Sequence, residues 1–377
     1  MTIGYDAKRL FHNNSGLGNY ARALVDNLRT YHPDVETILY TPTAPKDYKS
    51  LHWSNRIAVP ELTPGPLWRS YVVTHQLKTD KVDLYHGLSN ELPFNIRRGK
   101  VKSIVTVHDL IFKAFPETYP LLDRTIYDYK TKTACRNADH IIAVSEHTKS
   151  DIIRHYGTAP EKITVINPNI SPLISFKKRL EEYSKVGTES SAWHKAYPLP
   201  YLLALGTVEA RKNFVQVVEA IARLSESERP MLVLAGRAST GLEQLLLRAE
   251  ELGVSDYVKA LGFVNSIDLA ILLGRAEALV YPSRYEGFGM PVAEALLGGI
   301  PVITSTTSSL PEASGGHALH VDPDDIDGMA AAIQSILTDH EATKARVNAG
   351  RAYAERAYSP RRLTNQLVEL YARVLGH

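Results

Sequence analysis

The chain has 377 residues, of which 44% are hydrophobic and 22% charged, with a formal net charge of +2; these are ordinary values for a globular protein large enough for two domains. No run of about 18 apolar residues is present and the N-terminus lacks the layout of a signal peptide, so we expect a cytoplasmic protein without a spanning helix. The single cysteine, Cys135, excludes an internal disulfide and a cysteine-based zinc site.

Charge is divided unevenly along the chain. Residues 1–170 hold 22 Lys and Arg against 17 Asp and Glu, a formal charge of +5, and the remainder carries −3. A basic first half could favour an anionic acceptor or an anionic membrane face, and scatter over a solvated surface is the simpler alternative. No basic stripe with interleaved aromatic residues is present, so nucleic acid is not indicated as a partner.

The first 170 residues alternate short apolar runs with helical patterns. Helices are predicted at about 19–29, 121–138 and 146–156. The apolar runs predict strands over residues 2–6, 36–40, 56–59, 82–86, 104–108, 140–144 and 164–166. Because strands alternate with helices, we expect βαβ units and a largely parallel sheet covered on both faces.

The polar stretch 171–200 interrupts this alternation and is predicted to be a linker with one short helix. Strands are then predicted over residues 201–206, 231–236, 258–261, 278–281, 301–304 and 317–321. The pattern favours an α/β protein with two doubly wound domains, 1–170 and 201–359, and a ligand cleft between them outside the strand C-termini. Residues 360–377 form a last helix that we expect to pack back on the first domain.

Residues 281–299, YPSRYEGFGMPVAEALLGG, point most directly to a function. A buried strand end is followed by a Gly-rich loop and by a helix start at Pro291, an order that aims backbone N–H groups at an anion. Glu286 lies in the loop and Glu294 in the helix. Two acids there could hold sugar hydroxyls while the amides face a phosphate, which indicates a nucleotide-sugar site. The simpler alternative is a loop charge and an acid that complements the helix dipole.

Two adjacent cations, Arg211 and Lys212, follow the predicted strand 201–206 and precede a predicted helix. Cations at a helix start oppose its dipole, so an anion such as a diphosphate would be needed to stabilise them. The alternative is a surface pair that points into solvent.

Two more candidates follow strands of the first half. Gly16 and Gly18 lie in the segment 13–20, a phosphate-loop candidate whose glycines would equally suit a tight turn. His108-Asp109 follows residues 104–107, at the end of a predicted strand, and could contact a sugar hydroxyl or the charge that develops in a transition state.

His86 and Ser145 are weaker candidates for the same region. His86 ends the predicted strand 82–86 and could be structural or could contact a sugar. Ser145 is predicted to be the N-cap of the helix 146–156, with the helix N-terminus exposed to the cleft.

At this point the chain resembles the family-4, retaining glycosyltransferases of the GT-B fold over nearly its whole length. The matching segments are SGLGNY at 15–20, VHDL at 107–110, AVSEHTKSDI at 143–152, GTVEARKN at 206–213 and YEGFGMPVAEAL at 285–296. The last is the specific one, because it matches the family's pattern of two glutamates separated by seven residues. Within the family, the chain is most similar to bacterial polysaccharide and O-antigen enzymes, many of them mannosyltransferases.

The resemblance implies a role for each matching residue. Catalysis would involve Glu286, His108 and Asp109; the donor would be bound by Gly16, Gly18, Arg211, Lys212, Phe288, Gly289, Met290 and Glu294; His86 and Ser145 would contact the acceptor or sugar. In more detail, Glu294 would hold the ribose hydroxyls, Glu286 the sugar ring and Lys212 the diphosphate. Many members have an arginine where this chain has Thr207, a charge that Arg211 could replace.

The function expected from the sequence is transfer of a hexose, with retention, from a nucleoside diphosphate sugar to a hydroxyl of a glycan or lipid-linked glycan. The resemblance to mannosyltransferases makes GDP-mannose the single most favoured donor, and the UDP-hexoses as a group are an equally good alternative. No cofactor and no metal are expected, since no D-x-D element is evident and DPDD at 322–325 is predicted to be a turn. A peripheral membrane contact would involve Trp53, residues 64–68 and Arg97-Arg98.

Three other functions remain open from the sequence. A non-hydrolysing nucleotide-sugar epimerase can share two such domains. A dinucleotide-dependent oxidoreductase is suggested by Gly16-x-Gly18 but lacks the third glycine and the expected acid. A non-enzymatic sugar-nucleotide-binding protein is the third.

Overall fold

The computed structural model describes residues 1–13, 16–45, 56–60, 67–170, 200–237 and 239–377. By its internal contacts the chain divides into two compact units. Unit 1 comprises Met1–Ser171 and Tyr358–His377, and unit 2 comprises Pro172–Ala357. The predicted linker 171–200 lies outside the described residues except for Pro200.

Unit 1 is built on a seven-stranded parallel sheet in the order β3-β2-β1-β4-β5-β6-β7. Its strands are β1 (Thr2–Asp6), β2 (Glu36–Tyr40), β3 (Arg56–Ala58), β4 (Leu84–Gly87), β5 (Lys102–Val107), β6 (His140–Ala143) and β7 (Ile163–Val165). These strands are mostly buried on both faces, as is usual where helices cover a parallel sheet. The chain order reverses beside β1, where β4 returns to lie against it.

The helices of unit 1 are α1 (Lys8–His12), α2 (Gly16–Tyr31), α3 (Val73–Thr79, preceded by a π-helical turn at Trp68–Val72), α4 (Ile111–Ala114), α5 (Leu121–Asn137) and α6 (Glu146–Tyr156). Helix α6 begins as predicted, because the Ser145 side chain accepts a hydrogen bond from the Thr148 N–H at 3.0 Å. It ends at Gly157, whose φ of 60° is the left-handed value that favours glycine after a helix.

The last helix of the chain, α14 (Pro360–Leu375), contributes to the core of unit 1. Its Tyr371 is fully buried, and its hydroxyl lies 3.1 Å from the Tyr5 hydroxyl and 2.7 Å from Nδ1 of His86. Leu363, Leu367 and Leu370 of α14 join the same apolar cluster as residues of β1 and α2. Residues at the two ends of the sequence therefore share one core.

Unit 2 has a six-stranded parallel sheet in the order β10-β9-β8-β11-β12-β13. Its strands are β8 (Tyr201–Leu205), β9 (Met231–Ala235), β10 (Val258–Gly262), β11 (Ala278–Tyr281), β12 (Val302–Ser305) and β13 (Leu319–Val321). Its helices are α7 (Phe214–Arg223), α8 (Thr240–Glu251), α9 (Ser266–Arg275), α10 (Met290–Gly298), α11 (Leu310–Ser314), α12 (Ile326–Thr338) and α13 (His340–Ala357).

Each strand predicted from the sequence is present, with both ends within two residues of the predicted positions. The α/β class with two parallel sheets is therefore confirmed. Residues 322–325 form the predicted turn, and Asp325 then caps α12 by accepting a hydrogen bond from the Gly328 N–H at 2.8 Å.

Two local predictions need correction. Helix α2 begins at Gly16, so both glycines lie in its first turn and not in a loop. Trp68 is 3% exposed and donates a hydrogen bond to Gln76 at 3.1 Å, so this member of the predicted membrane contact is not available at the surface. Trp53 and residues 64–66 of that contact lie outside the described residues.

Candidate functional site

The strongest site candidate in unit 2 lies where the chain order of its sheet reverses. Strand β8 is followed in the chain by β9 on one side, and β11 returns to its other side. Loops after β8 and β11 consequently diverge and leave a crevice at the carboxyl ends of the strands, where open parallel sheets bind ligands. Arg211 and Lys212 follow β8, and Glu286 follows β11.

Arg211 is buried and binds across this crevice. Its Nη1 donates to the Tyr285 carbonyl at 2.6 Å and to Glu286 Oε1 at 2.7 Å, and its Nη2 donates to Glu209 Oε1 at 2.7 Å. Burial alone would lower the guanidinium pKa, but the carboxylates of Glu286 and Glu209 raise it above its usual range. The alternative from the sequence, a surface pair that points into solvent, is thereby excluded for Arg211.

Lys212 is also buried and shares the same acid. Its Nζ donates to Glu286 Oε1 at 2.6 Å and to the Tyr281 hydroxyl, and it lies 4.4 Å from the centre of the Tyr281 ring. Burial lowers the pKa of Lys212 although Glu286 acts in the opposite direction. Gly206, with φ of +124°, lets the lysine stem pass, since a Cβ there would lie 3.3 Å from Lys212 Cε.

Glu286 is held in place from both its side chain and its backbone. Its N–H donates to Ser308 Oγ at 3.0 Å, and its carbonyl accepts from Ser309 Oγ at 2.9 Å. Burial would raise the pKa of its carboxyl, but Lys212 and Arg211 lower it to about 2. Glu286 is therefore ionised at neutral pH and joins the loops after β8 and β11.

Helix α10 starts directly after this loop. Its N-cap is Gly289, whose φ of +99° favours glycine. A side chain would not fit there either, because a Cβ at this position would lie 2.7 Å from Leu310 Cδ2. Phe288 is buried, and Met290 and Pro291 occupy the first helical positions. The first amides of α10 thus lie at the helix start where the sequence predicts that an anion binds, which stays a prediction.

Glu294 lies in the second turn of α10 and is partly buried. Burial raises the pKa of its carboxyl from 4.5 to about 7, and no charged group among the described residues offsets this effect. Glu286 is therefore ionised throughout the range between about pH 4 and 6, whereas Glu294 is mostly protonated there, although both belong to the same sequence motif.

Unit 1 contains a separate cavity of about 210 Å³. It is lined by Arg9, Leu17, Ser89, Asn90, Glu91, His108, Asp109, Phe112, Tyr119, Tyr127, Lys130 and Thr131. The structure thus brings His108 and Asp109 into a pocket with aromatic and hydrogen-bonding side chains.

His108 is held in one tautomer by its contacts. Its Nε2 lies 2.8 Å from the Leu88 carbonyl, and because a carbonyl only accepts, Nε2 carries the proton. Burial lowers the pKa of His108 to about 4, so the ring is neutral at pH 7. Its Nδ1 can then accept a hydrogen bond but cannot donate one.

His86 and Ser145 have structural partners instead of the contacts considered for them. His86 is fully buried, and its two ring nitrogens lie 2.7 Å from the Tyr371 hydroxyl and 2.8 Å from Thr106 Oγ1. Ser145 is also fully buried and caps α6. The sequence suggests that these two side chains contact an acceptor or sugar. The structure does not support this contact, because neither side chain reaches the surface of unit 1.

Gly18 has a packing reason in the structure. A Cβ at this position would lie 1.8 Å from the Asn13 carbonyl oxygen, so only glycine allows the first turn of α2 to approach the chain just after α1. Gly16 begins the same turn.

Sequence reasoning missed several residues of these sites. Tyr281 contacts Lys212 and Glu209 contacts Arg211. Asn90 and Arg9 line the cavity of unit 1. A position at or just after a strand end is the signal they share, and it applies equally to many residues without a function.

Two negative findings concern the described part of the chain. It contains no group of three or more His, Cys, Asp and Glu side chains that could hold a metal ion. None of its helices has both the length and the apolar character needed to cross a bilayer.

Comparison with known families assigns the chain to a class. Residues 14–172 match the family described as Glycosyltransferase Family 4, and residues 189–353 match Glycosyl transferases group 1. The O-antigen chain mannosyltransferase B of Escherichia coli is 31% identical over 298 residues, which cover 78% of this chain and 75% of that protein. The chain belongs to the group 1, family 4 glycosyltransferases, and is a transferase of the hexosyltransferase class.

The similarity does not extend over the full length of every relative. Serotype-specific mannosyltransferase WbdA of Escherichia coli is 26% identical over 323 residues, which cover 81% of this chain but 38% of that protein. The chain therefore spans less than half the length of this relative.

A solved structure supports the fold. The structure of Anabaena Alr3699/HepE in complex with UDP and glucose superposes with a TM-score of 0.70 at 18% identity, over 99% of this chain and 100% of that one. The GT-B fold class expected from the sequence is confirmed.

Proposed function

We propose that this enzyme transfers a hexose, with mannose favoured, from a nucleoside diphosphate sugar to a hydroxyl of a glycan or lipid-linked glycan in polysaccharide synthesis. The observation that carries the proposal is the cluster of Arg211, Lys212 and Glu286 at the sheet reversal of unit 2, beside the start of α10. Relatives named O-antigen mannosyltransferases support the hexose and the pathway class.

The cations of unit 2 would stabilise the diphosphate leaving group. Lys212 Nζ has three N–H donors, of which two bind Tyr281 and Glu286, so one remains for a phosphate oxygen. Arg211 likewise keeps donors beyond its three bonds. A diphosphate can thus bind without breaking the links to Glu286, and these charges replace a metal ion in the proposed mechanism.

The two acids have different parts in this proposal. Glu286, ionised and fixed beside the cations, would contact the donor sugar ring through Oε2, which takes no part in the bonds to Arg211 and Lys212. Glu294 would accept hydrogen bonds from the ribose hydroxyls, with amides of Phe288, Gly289 and Met290 near the phosphate. We further infer that the reaction retains the anomeric configuration.

The cavity of unit 1 suits the acceptor. The rings of Tyr127 and Tyr119 lie 6.0 Å apart and those of Tyr127 and Phe112 lie 6.4 Å apart, so the cavity contains a group of aromatic side chains of the kind that binds a sugar ring. Neutral His108, with Nδ1 as acceptor, would bind a sugar hydroxyl, and Asp109 lies beside it.

Nucleotide release from a panel of GDP- and UDP-sugars, with and without a crude lipid extract, tests the proposed function. We expect one donor to give clear nucleotide release, dependence on the extract, and unchanged rates in EDTA. Isomerised donor in the absence of an acceptor would instead identify an epimerase. Loss of activity in EDTA that Mg²⁺ or Mn²⁺ restores would contradict the metal-free mechanism.

The acceptor assignment predicts a selective effect for Tyr127→Ala. We expect KM for the acceptor to rise about tenfold, the scale of one lost stacking or hydrogen-bonding contact of about 1.4 kcal/mol. KM for the donor should not change. Tyr31→Ala, a change of another exposed tyrosine at the end of α2, is the control. Equal acceptor KM values in the two variants would remove the cavity from the acceptor site.

A further inference from the structure

Asn90 lies in the loop that follows β4, beside the loop that follows β5. The two strands are neighbours in the parallel sheet, so both loops leave it at the same edge. Asn90 has a φ of 58°, in the left-handed region that few residues other than glycine occupy. Holding a non-glycine residue there costs free energy, and such residues are concentrated at active sites and ligand-binding loops. The contacts of this residue are therefore informative.

The side chain of Asn90 bonds to the backbone of both residues that follow β5. Its Oδ1 accepts a hydrogen bond from the His108 N–H at 2.9 Å, and its Nδ2 donates to the Asp109 carbonyl at 3.2 Å. This amide orientation is fixed, because a backbone N–H only donates and a carbonyl only accepts. The N–H of Asn90 itself donates to the Thr106 carbonyl at 2.9 Å. The three bonds fasten the two loops together around His108.

A tight turn alone does not explain an asparagine at position 90. Glycine adopts a φ of 58° without steric cost and would satisfy the backbone geometry at least as well. A side-chain amide, in contrast, can accept from the His108 N–H and donate to the Asp109 carbonyl at the same time. What asparagine adds over glycine is therefore this pair of bonds to residues 108 and 109.

Other groups hold His108 from the remaining sides. The Leu88 carbonyl, in the same loop as Asn90, accepts from Nε2 at 2.8 Å, and the Thr148 hydroxyl of α6 donates to the His108 carbonyl at 3.3 Å. The Tyr20 ring lies nearly perpendicular to the imidazole, with 4.7 Å between the ring centres. Among the described residues Nδ1 is left without a hydrogen-bond partner, so it is the ring atom that a ligand in the cavity can reach.

We propose that Asn90 is a positioning residue, which fixes the backbone of His108 and Asp109 so that His108 Nδ1 is presented to the cavity of unit 1 as a hydrogen-bond acceptor. The inference deepens the proposed function and rests on it, because His108 is there taken to bind a sugar hydroxyl in that cavity. Binding groups have to be held within about 0.5 Å of the productive geometry, so a residue behind the binding group affects the rate. Asn90 acts in this way through His108.

Nuclear magnetic resonance of the His108 ring tests the proposal without donor or acceptor. The full chain is labelled with 15N-histidine, and the His108 signals are identified by their loss in a His108→Gln variant. In the parent we expect a proton on Nε2 throughout the range of about pH 5 to 8, because Nε2 bonds to the Leu88 carbonyl and burial lowers the pKa to about 4. A parent whose His108 carries its proton on Nδ1, or titrates near the ordinary pKa of about 6.5, would overturn the proposal.

Asn90→Gly is the informative variant, because glycine suits the left-handed backbone and only the side-chain amide is lost. With residue 108 released, we expect the imidazole to leave the Leu88 carbonyl, both tautomers to be populated and the pKa of His108 to rise toward its ordinary value. Lys81→Gly is the matched control, since Lys81 has a φ of 55° and precedes the other end of β4. It should leave the His108 signals unchanged. Signals and titration in Asn90→Gly identical to those of the parent would contradict the positioning role.

Steady-state kinetics separates positioning from a general structural effect. Asn90→Gly should lower kcat/KM for the acceptor at least about tenfold with KM for the donor unchanged, and Lys81→Gly should match the parent. In a His108→Gln background the same Asn90→Gly change should cost less than about threefold, because no imidazole is left to position. An equal loss in both backgrounds would show that Asn90 does not act through His108. If no donor gives nucleotide release even with the parent, the proposed function fails, and the resonance experiment decides the positioning role by itself.

Discussion

Lys212→Met is expected to reduce turnover at saturating donor by at least about a hundredfold. This is the effect of losing about 2.7 kcal/mol of transition-state stabilisation when one preorganised charge beside a developing anion is removed. Lys212 is the only cation in the described part of unit 2 that binds both Tyr281 and Glu286, and its remaining N–H is directed to the diphosphate in our proposal. Methionine keeps the length and apolar character of the stem beside Gly206, so the charge is the main change.

The measurement is kcat with the donor found in the panel, together with nucleotide affinity by calorimetry and thermal unfolding. Lys344→Met, a change of an exposed lysine on α13, is the control and should behave like the parent. A kcat for Lys212→Met within fivefold of the parent, in a variant that folds normally, would remove Lys212 from leaving-group stabilisation.

Glu294→Gln is expected to weaken donor binding at pH 8 and at the same time to stabilise the ligand-free fold. Burial raises the pKa of Glu294 from 4.5 to about 7, so between these values the folded chain holds a proton that the unfolded chain has released. The contribution of this group to the free energy of unfolding is fully present below about pH 4.5 and is lost as the pH rises through 7.

Glutamine avoids that loss because it stays neutral. We expect Glu294→Gln to exceed the parent in free energy of unfolding by about 1–3 kcal/mol at pH 8 and to equal it near pH 4.5. Donor affinity of the parent should rise between pH 6 and 8 as the carboxylate forms, and that of the variant should stay low and flat. Denaturant unfolding and donor titration at several pH values test both trends. A variant that binds donor like the parent at pH 8 would exclude a ribose contact by Glu294.

The sequence predicts those features that depend on neighbouring residues. Strand and helix positions follow from local periodicity, and Ser145 is the N-cap because a short polar side chain precedes the helix. The E-x7-E segment likewise shows its loop and helix start through Gly289 and Pro291.

The incorrect expectations concern side chains whose partners lie outside the local sequence pattern. His86 looks available at a strand end, but Tyr371, 285 residues away, and Thr106 take its two ring nitrogens. Trp68 likewise looks exposed in a proline-rich stretch, yet Gln76 accepts its N–H. No local pattern contains these partners, so burial and pairing of this kind require the structure.

The position of α14 also affects the order in which the protein can fold during synthesis. Tyr5 and His86 leave the ribosome before unit 2, yet their partner Tyr371 emerges after it. Domains usually mature from the N-terminus onward as they are synthesised. Here the core of unit 1 stays open while unit 2 is being made, so unit 1 can be completed only after unit 2 has been synthesised.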